Sequence, residues 1–118
     1  MKKIRVVTLG LAVCAMLAFA IPAMAHQSGT SVTVTAGKPS EFGFKLSTKS
    51  VKAGPVTFKV TNSGSLPHDF SIDGKKTKLL SPGQSASLSV TVKKGSNPYE
   101  CTVTGHAAAG MKGVLTGK

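Results

Sequence analysis

The sequence predicts an all-β domain, a sandwich or small barrel of about seven or eight short strands. Apolar and polar residues alternate in several short segments, as they do in strands that bury one face. Clusters of Gly, Pro, Ser and Asn separate these segments and are typical of turns. After residue 25, no segment sustains the apolar repeat of an amphipathic helix.

The first half of the domain contains three alternating segments. A turn at 37–39 follows the first, Gly43 is a candidate bulge in the second, and a turn at 52–55 precedes the third. The apolar residues that share a face in the three segments are Val32 and Val34; Phe42, Phe44 and Leu46; and Val56, Phe58 and Val60.

The second half begins with a loop at 62–67 and has turns at 73–74 and 81–83. The segment 94–98 leads into the next strand, and 113–116 closes the chain. The residues predicted to share a face are His68, Phe70 and Ile72; Ala86, Leu88, Val90 and Val92; and Tyr99, Cys101 and Val103. This parity places one histidine and one cysteine on core-facing positions near strand ends.

Residues 1–25 are interpreted as a secretory signal peptide and residues 26–118 as the functional domain. Basic residues precede an apolar run at 6–21, and small residues end the leader at a predicted cleavage site between Ala25 and His26. The protein is therefore expected to be periplasmic or secreted.

Two alternatives for the leader stay open. The run at 6–25 is close to the length of a membrane-spanning helix, so an uncleaved anchor is the competing interpretation. A lipoprotein attached at Cys14 is disfavoured because Val13 occupies a position where a small residue is expected. Cleavage would also leave His26 at the N-terminus, where its amine and ring form a candidate metal-chelating site.

The domain is basic. Residues 26–118 hold 12 lysines, no arginine and 4 acidic residues, a net charge of 12 − 4 = +8. This charge favours acidic partner proteins or an anionic membrane surface. Nucleic acid is not expected, because arginine is absent and aromatic residues are few. A monomer is expected. The densest charge clusters, interpreted as solvated faces with docking as the alternative, are Lys75, Lys76 and Lys78, and Lys93 and Lys94.

Cys101 is the one cysteine left after cleavage, in a compartment where thiols tend to be paired. It is either a buried apolar residue, a reactive thiol, a partner in an intermolecular disulfide or a metal ligand. The residues that follow it favour the last, because His106 and Met111 recur at five-residue intervals. Gly105 and Gly110 allow the tight turns that bring the three donors together.

His68 supplies a second imidazole if its strand neighbours the strand of Cys101. Two histidines, one cysteine and one weak axial methionine form the ligand set of a blue-copper electron-transfer site. Thiolate and thioether favour Cu(I), imidazole suits both oxidation states, and a stiff β framework limits movement between them. Taken singly, His68 is more often a polar surface residue and Met111 a packing residue, so the joint pattern carries the prediction.

The segments 99–113 and 62–70 resemble the bacterial plastocyanin/azurin-like cupredoxins, and the likeness covers nearly the whole domain. The Cys-x4-His-x4-Met loop is similar to that of rusticyanin and sulfocyanin. The resemblance implies a Greek-key β sandwich of about eight strands, one type 1 copper cycling between Cu(I) and Cu(II), and one-electron transfer. The residues that match the family's ligands are His68, Cys101, His106 and Met111.

The chain departs from many relatives at two places. Thr104 stands where proline is common, and Asp69 stands where asparagine or serine is common. In the family the second position helps to tie the ligand loops together, so we expect Asp69 to bond near Thr102 and to lower the reduction potential when ionised.

Three other functions are weighed against electron transfer. A periplasmic copper carrier or buffer would use the same ligands, but carriers usually prefer flexible Met- or His-rich sites. Zinc accepts histidine and cysteine but gains little from a thioether. Catalysis by this chain alone is not expected, because no acid pair or triad accompanies Cys101.

Overall fold

The computed structural model describes residue 3 and residues 29–118. The predicted leader, its cleavage site, Cys14 and His26 lie outside these residues. Among the residues that the structure describes, we find no helix with the length and apolarity that a membrane crossing requires. The domain prediction for residues 1–25 therefore stays a prediction.

Residues 29–118 form nine strands in two sheets, which confirms the all-β class. The strands are β1 (Thr30–Ala36), β2 (Phe44–Leu46), β3 (Ser50–Val51), β4 (Gly54–Asn62), β5 (Ser71–Ile72), β6 (Lys75–Lys76), β7 (Ser85–Val92), β8 (Gly95–Glu100) and β9 (Lys112–Gly117). The first sheet has the order β2-β1-β4-β7, and the second has the order β3-β9-β8-β5-β6. Strands β1 and β4 are parallel, whereas β4 and β7 are antiparallel.

The core lies between the inward faces of the sheets and follows the predicted alternation. In β4, Val56, Phe58 and Val60 are buried while Lys59 is exposed. The second sheet contributes buried side chains that include Leu115. Period-two burial on both sheets is what a sandwich requires.

Two prolines lie inside strands, where turns were predicted. Pro55 pairs with Thr91 of β7, but the pairing of β4 with β1 starts only at Val56. Pro98 pairs with Val114 of β9, but the pairing of β8 with β5 starts only at the following residue. Each proline is therefore paired with a strand on one side only. Because its nitrogen can face the unpaired side, the missing N–H removes no hydrogen bond from the sheet. The predicted turn at 52–55 and the predicted lead-in at 94–98 were therefore wrong in placing Pro55 and Pro98 outside the strands.

The segment around His68 is less regular than predicted. Only Ser71–Ile72 forms a strand there, and His68 makes an isolated bridge to Leu80. Gly43 lies outside the strands, so no bulge forms at it. The count of nine strands exceeds the predicted seven or eight because very short pairings such as β3 and β5 count as separate elements.

The sheet order places the candidate ligands at one edge. Strands β5 and β8 are antiparallel neighbours, with Ile72 opposite Tyr99. The residues before β5 and after β8 therefore lie at the same end of the sheet. His68 lies before β5 and Cys101 directly follows β8, which is the strand neighbourhood that the metal-site hypothesis requires.

Candidate metal centre

Three donor side chains converge at this end of the second sheet. The Sγ atom of Cys101 lies 3.6 Å from Nδ1 of His106 and 4.0 Å from Nδ1 of His68. The two Nδ1 atoms are 3.1 Å apart. These donor atoms all lie within 4.8 Å of one another and could hold a metal ion. Each ring thus turns the same nitrogen toward the thiol.

Backbone hydrogen bonds close the loop from Cys101 to Met111. The amide of Cys101 donates to the carbonyl of Met111 at 3.0 Å, and the amide of Met111 donates to the carbonyl of His106 at 3.1 Å. Gly105 and Gly110 have φ angles of +86° and +112°, which residues with a side chain rarely adopt. The loop therefore brings its two ends and its middle together, as its spacing predicts.

Met111 is fully buried and packs in one apolar cluster with Cys101 and Ala36. Partly buried Phe44 and Val103 pack against this cluster. The thioether therefore lies in the dry surroundings beside the thiol. This placement agrees with a weak axial ligand, and the ligand role itself remains a proposal.

The two imidazoles differ in exposure. His68 is completely buried, whereas His106 is only half-buried and packs edge-on against Phe42, with ring centroids 5.1 Å apart. Phe42 is itself 37% exposed. His106 is thus the candidate ligand whose ring reaches the surface.

Burial shapes the ionisation of the donors. Desolvation raises the pKa of the Cys101 thiol. Desolvation, followed by the nearby His68, lowers the pKa of His106. A neutral imidazole is the form that binds a metal, and a thiol must lose its proton to bind one. Metal uptake is therefore expected to release the Cys101 proton.

Asp69 joins the two ligand segments. Its Oδ1 accepts a hydrogen bond from the amide of Thr102 at 2.6 Å, and its Oδ2 accepts one from the Thr102 hydroxyl. Its own amide points at Sγ of Cys101, 3.5 Å away. The expected Asp69–Thr102 contact is present, and its effect on a metal remains a proposal.

Sequence reasoning missed Glu41, whose Oε1 lies 2.7 Å from Nε2 of His68. The residue is 27 positions upstream in a short loop, and no spacing motif links it to the histidine. The only sequence feature that draws attention to Glu41 is that acidic residues are scarce in the domain, and this feature does not indicate which residue Glu41 contacts.

The donor set fits copper in chemical type. One thiolate, two imidazoles and a buried thioether combine soft and intermediate ligands. Among residues 29–118, no carboxylate or further imidazole joins the three-residue group.

Comparison with known proteins agrees with this chemistry. The family model described as "Copper binding proteins, plastocyanin/azurin family" matches residues 11–117. No curated protein matches the chain in sequence.

Solved structures share the fold. Auracyanin B is 23% identical with a TM-score of 0.64, over 75% of this chain and 88% of its own. Rusticyanin from Thiobacillus ferrooxidans is 23% identical with a TM-score of 0.62, over 75% of this chain and 76% of its own. Auracyanin A from Chloroflexus aurantiacus, described as a "blue" copper protein, is 16% identical with a TM-score of 0.60, over 76% of this chain and 99% of its own.

Proposed function

Because this chain belongs to the plastocyanin/azurin family of copper-binding proteins, we propose that it is an exported blue-copper protein that carries single electrons between redox partners. The proposed ligands are Nδ1 of His68, Sγ of Cys101, Nδ1 of His106 and the thioether of Met111. The convergence of both Nδ1 atoms on the buried Cys101 sulfur is the observation that carries the proposal. Copper bound there would supply a one-electron couple between Cu(I) and Cu(II).

The framework around the donors supports electron transfer over copper delivery. His68 is fixed by the bridge to Leu80, and the loop of Cys101 is closed by hydrogen bonds at both ends. Three of the four proposed donors, His68, Cys101 and Met111, are buried. Rigid donors that are largely buried slow ion exchange and limit the rearrangement that accompanies a change of oxidation state. A copper carrier would need donors that open readily to solvent.

His106 is the proposed point of contact with a partner, because its ring reaches the surface beside the exposed face of Phe42. The proposed partners are proteins with acidic surfaces, which the charge of +8 on residues 26–118 would attract. Export is proposed from the leader pattern in residues 1–25.

The test is to add Cu(II) to the purified metal-free protein and to record visible and electron paramagnetic resonance spectra. An intense thiolate-to-copper absorption is expected, and Cys101→Ser should abolish it. A His26→Ala control separates any N-terminal copper from the proposed centre. A colourless wild type would refute the proposal, and rapid loss of Cu(I) to a chelator would favour the carrier function.

A further inference from the structure

The buried ring of His68 has a carboxylate on its outer nitrogen. Its Nε2 atom lies 2.7 Å from Oε1 of Glu41, while Nδ1 faces Cys101 and His106. An ionised carboxylate only accepts hydrogen bonds, so Nε2 of His68 must be the donor. A neutral ring with a proton on Nε2 keeps its lone pair on Nδ1, the nitrogen that faces the thiol.

Glu41 is itself held in place by the loop that precedes His68. The amide of Ser65 donates to both carboxylate oxygens, at 3.1 and 2.9 Å, and the amide of Leu66 donates to Oε1 at 3.0 Å. A glutamate carboxyl is ordinarily ionised at neutral pH, and these two amides and the His68 ring all donate to it. The carboxylate is therefore charged and has several fixed donors around it.

Two glycines make the close approach possible. A Cβ atom on Gly64 would lie 2.5 Å from Oε1 of Glu41 and 2.9 Å from Nε2 of His68. A Cβ atom on Gly37, whose φ is +81°, would lie 2.5 Å from Cα of Gly64. The loops 37–43 and 63–67 thus pack backbone against backbone, and no larger residue fits between the carboxylate and the ring.

We propose that Glu41 is a positioning residue of the metal centre, which fixes the His68 tautomer with Nδ1 free to bind and lowers the reduction potential through its negative charge. A carboxylate on the far nitrogen of a ligand histidine orients the ring and raises its basicity. Negative charge close to the centre favours the more highly charged Cu(II) over Cu(I). This inference rests on the proposed copper function.

The first test compares reduction potentials of the copper-loaded wild type, Glu41→Gln and Glu100→Gln. Glutamine keeps the size of the side chain and an acceptor for His68 but removes the charge. Glu100→Gln makes the same change at an exposed site on β8. We expect Glu41→Gln to lower the ratio of Cu(II) affinity to Cu(I) affinity about tenfold. This change corresponds to a rise of about 59 mV in the reduction potential. A Glu41→Gln variant that keeps the wild-type potential would overturn the charge effect.

The second test uses the wild type alone and needs no copper. Nitrogen-15 spectra of the metal-free protein should show His68 protonated at Nε2, with slow exchange of that proton because the ring is buried. Protonation at Nδ1 would overturn the tautomer assignment even if Glu41→Gln fails to fold. A wild type that binds no copper but shows the Nε2 proton would refute the proposed function and leave the Glu41 contact intact.

Discussion

The side chain of Asp69 accepts hydrogen bonds from both the amide and the hydroxyl of Thr102, and so joins the segment of His68 to the segment of Cys101. The link spans 33 positions in sequence. Asp69 is 5% exposed, so water screens its charge poorly. We therefore expect Asp69 to affect both the arrangement of the two segments and the potential of a bound metal.

Replacing Asp69 by asparagine should raise the reduction potential of the copper-loaded protein. Asparagine preserves the size of the side chain and one acceptor for the Thr102 amide, but removes the negative charge that favours Cu(II). A tenfold change in the affinity ratio corresponds to about 59 mV, and we expect a rise of that order. Voltammetry measures it, with a thermal melt to verify folding. An unchanged potential would show that the charge of Asp69 does not affect the bound metal.

Replacing Met111 by leucine should also raise the potential while the blue absorption persists. The buried volume is nearly conserved, so the stability cost should be below about 1.5 kcal/mol. Although a thioether is a soft ligand, Cu(II) depends on a fourth donor more than Cu(I), which is stable with three ligands. Loss of the weak fourth donor should therefore destabilise Cu(II) more, and this ligand tunes the potential in such sites. The reverse exchange at a buried site on β9, Leu115→Met, serves as the control. If both variants retain the wild-type potential, Met111 is a packing residue.

Two buried asparagines offer a matched comparison of loop stability and metal binding. Asn62 donates to the carbonyls of Leu66 and Leu80, each at 2.8 Å, and accepts from the amide of Gly64. Asn97 makes similar bonds with backbone groups of residues 93, 95 and 115. Alanine at either position leaves buried backbone groups unpaired and should cost about 2 kcal/mol or more.

Copper affinity should separate the two variants. Asn62→Ala loosens the loop that precedes His68, and should weaken copper binding as well as stability. Asn97 lies four residues before Cys101 on an extended strand, about 13 Å along the chain, so Asn97→Ala should reduce stability alone. Denaturant unfolding of the metal-free proteins and copper titration measure the two quantities. Equal losses of affinity would contradict the assigned role of the 63–67 loop.

The basic surface predicts opposite salt effects for oppositely charged oxidants. Three of the four acidic residues have polar partners: Glu41 with His68, Asp69 with Thr102, and Asp73 with Lys93 at 3.9 Å. Oxidation of the Cu(I) protein by hexacyanoferrate(III), an anion, should slow as salt screens the attraction. Oxidation by a cationic cobalt(III) complex should accelerate. Stopped-flow rates at several ionic strengths measure both, and identical salt trends would argue against electrostatic steering.

The all-β class and the chemistry of the candidate donors could be predicted from local sequence patterns. Strand periodicity is a local property, so the burial of Val56, Phe58 and Val60 followed from their spacing. The donor types of Cys101, His106 and Met111 are likewise properties of one short segment, whose glycines allow it to close.

The groups that surround those donors became known only from the folded chain. The contact of Glu41 with His68 depends on two loops that pack through Gly37 and Gly64, and no local pattern encodes that distance. The difference in exposure between His68 and His106 also arises from neighbours distant in sequence. Contacts between separate loops are set by how the two sheets stack, a property of the whole chain rather than of any segment.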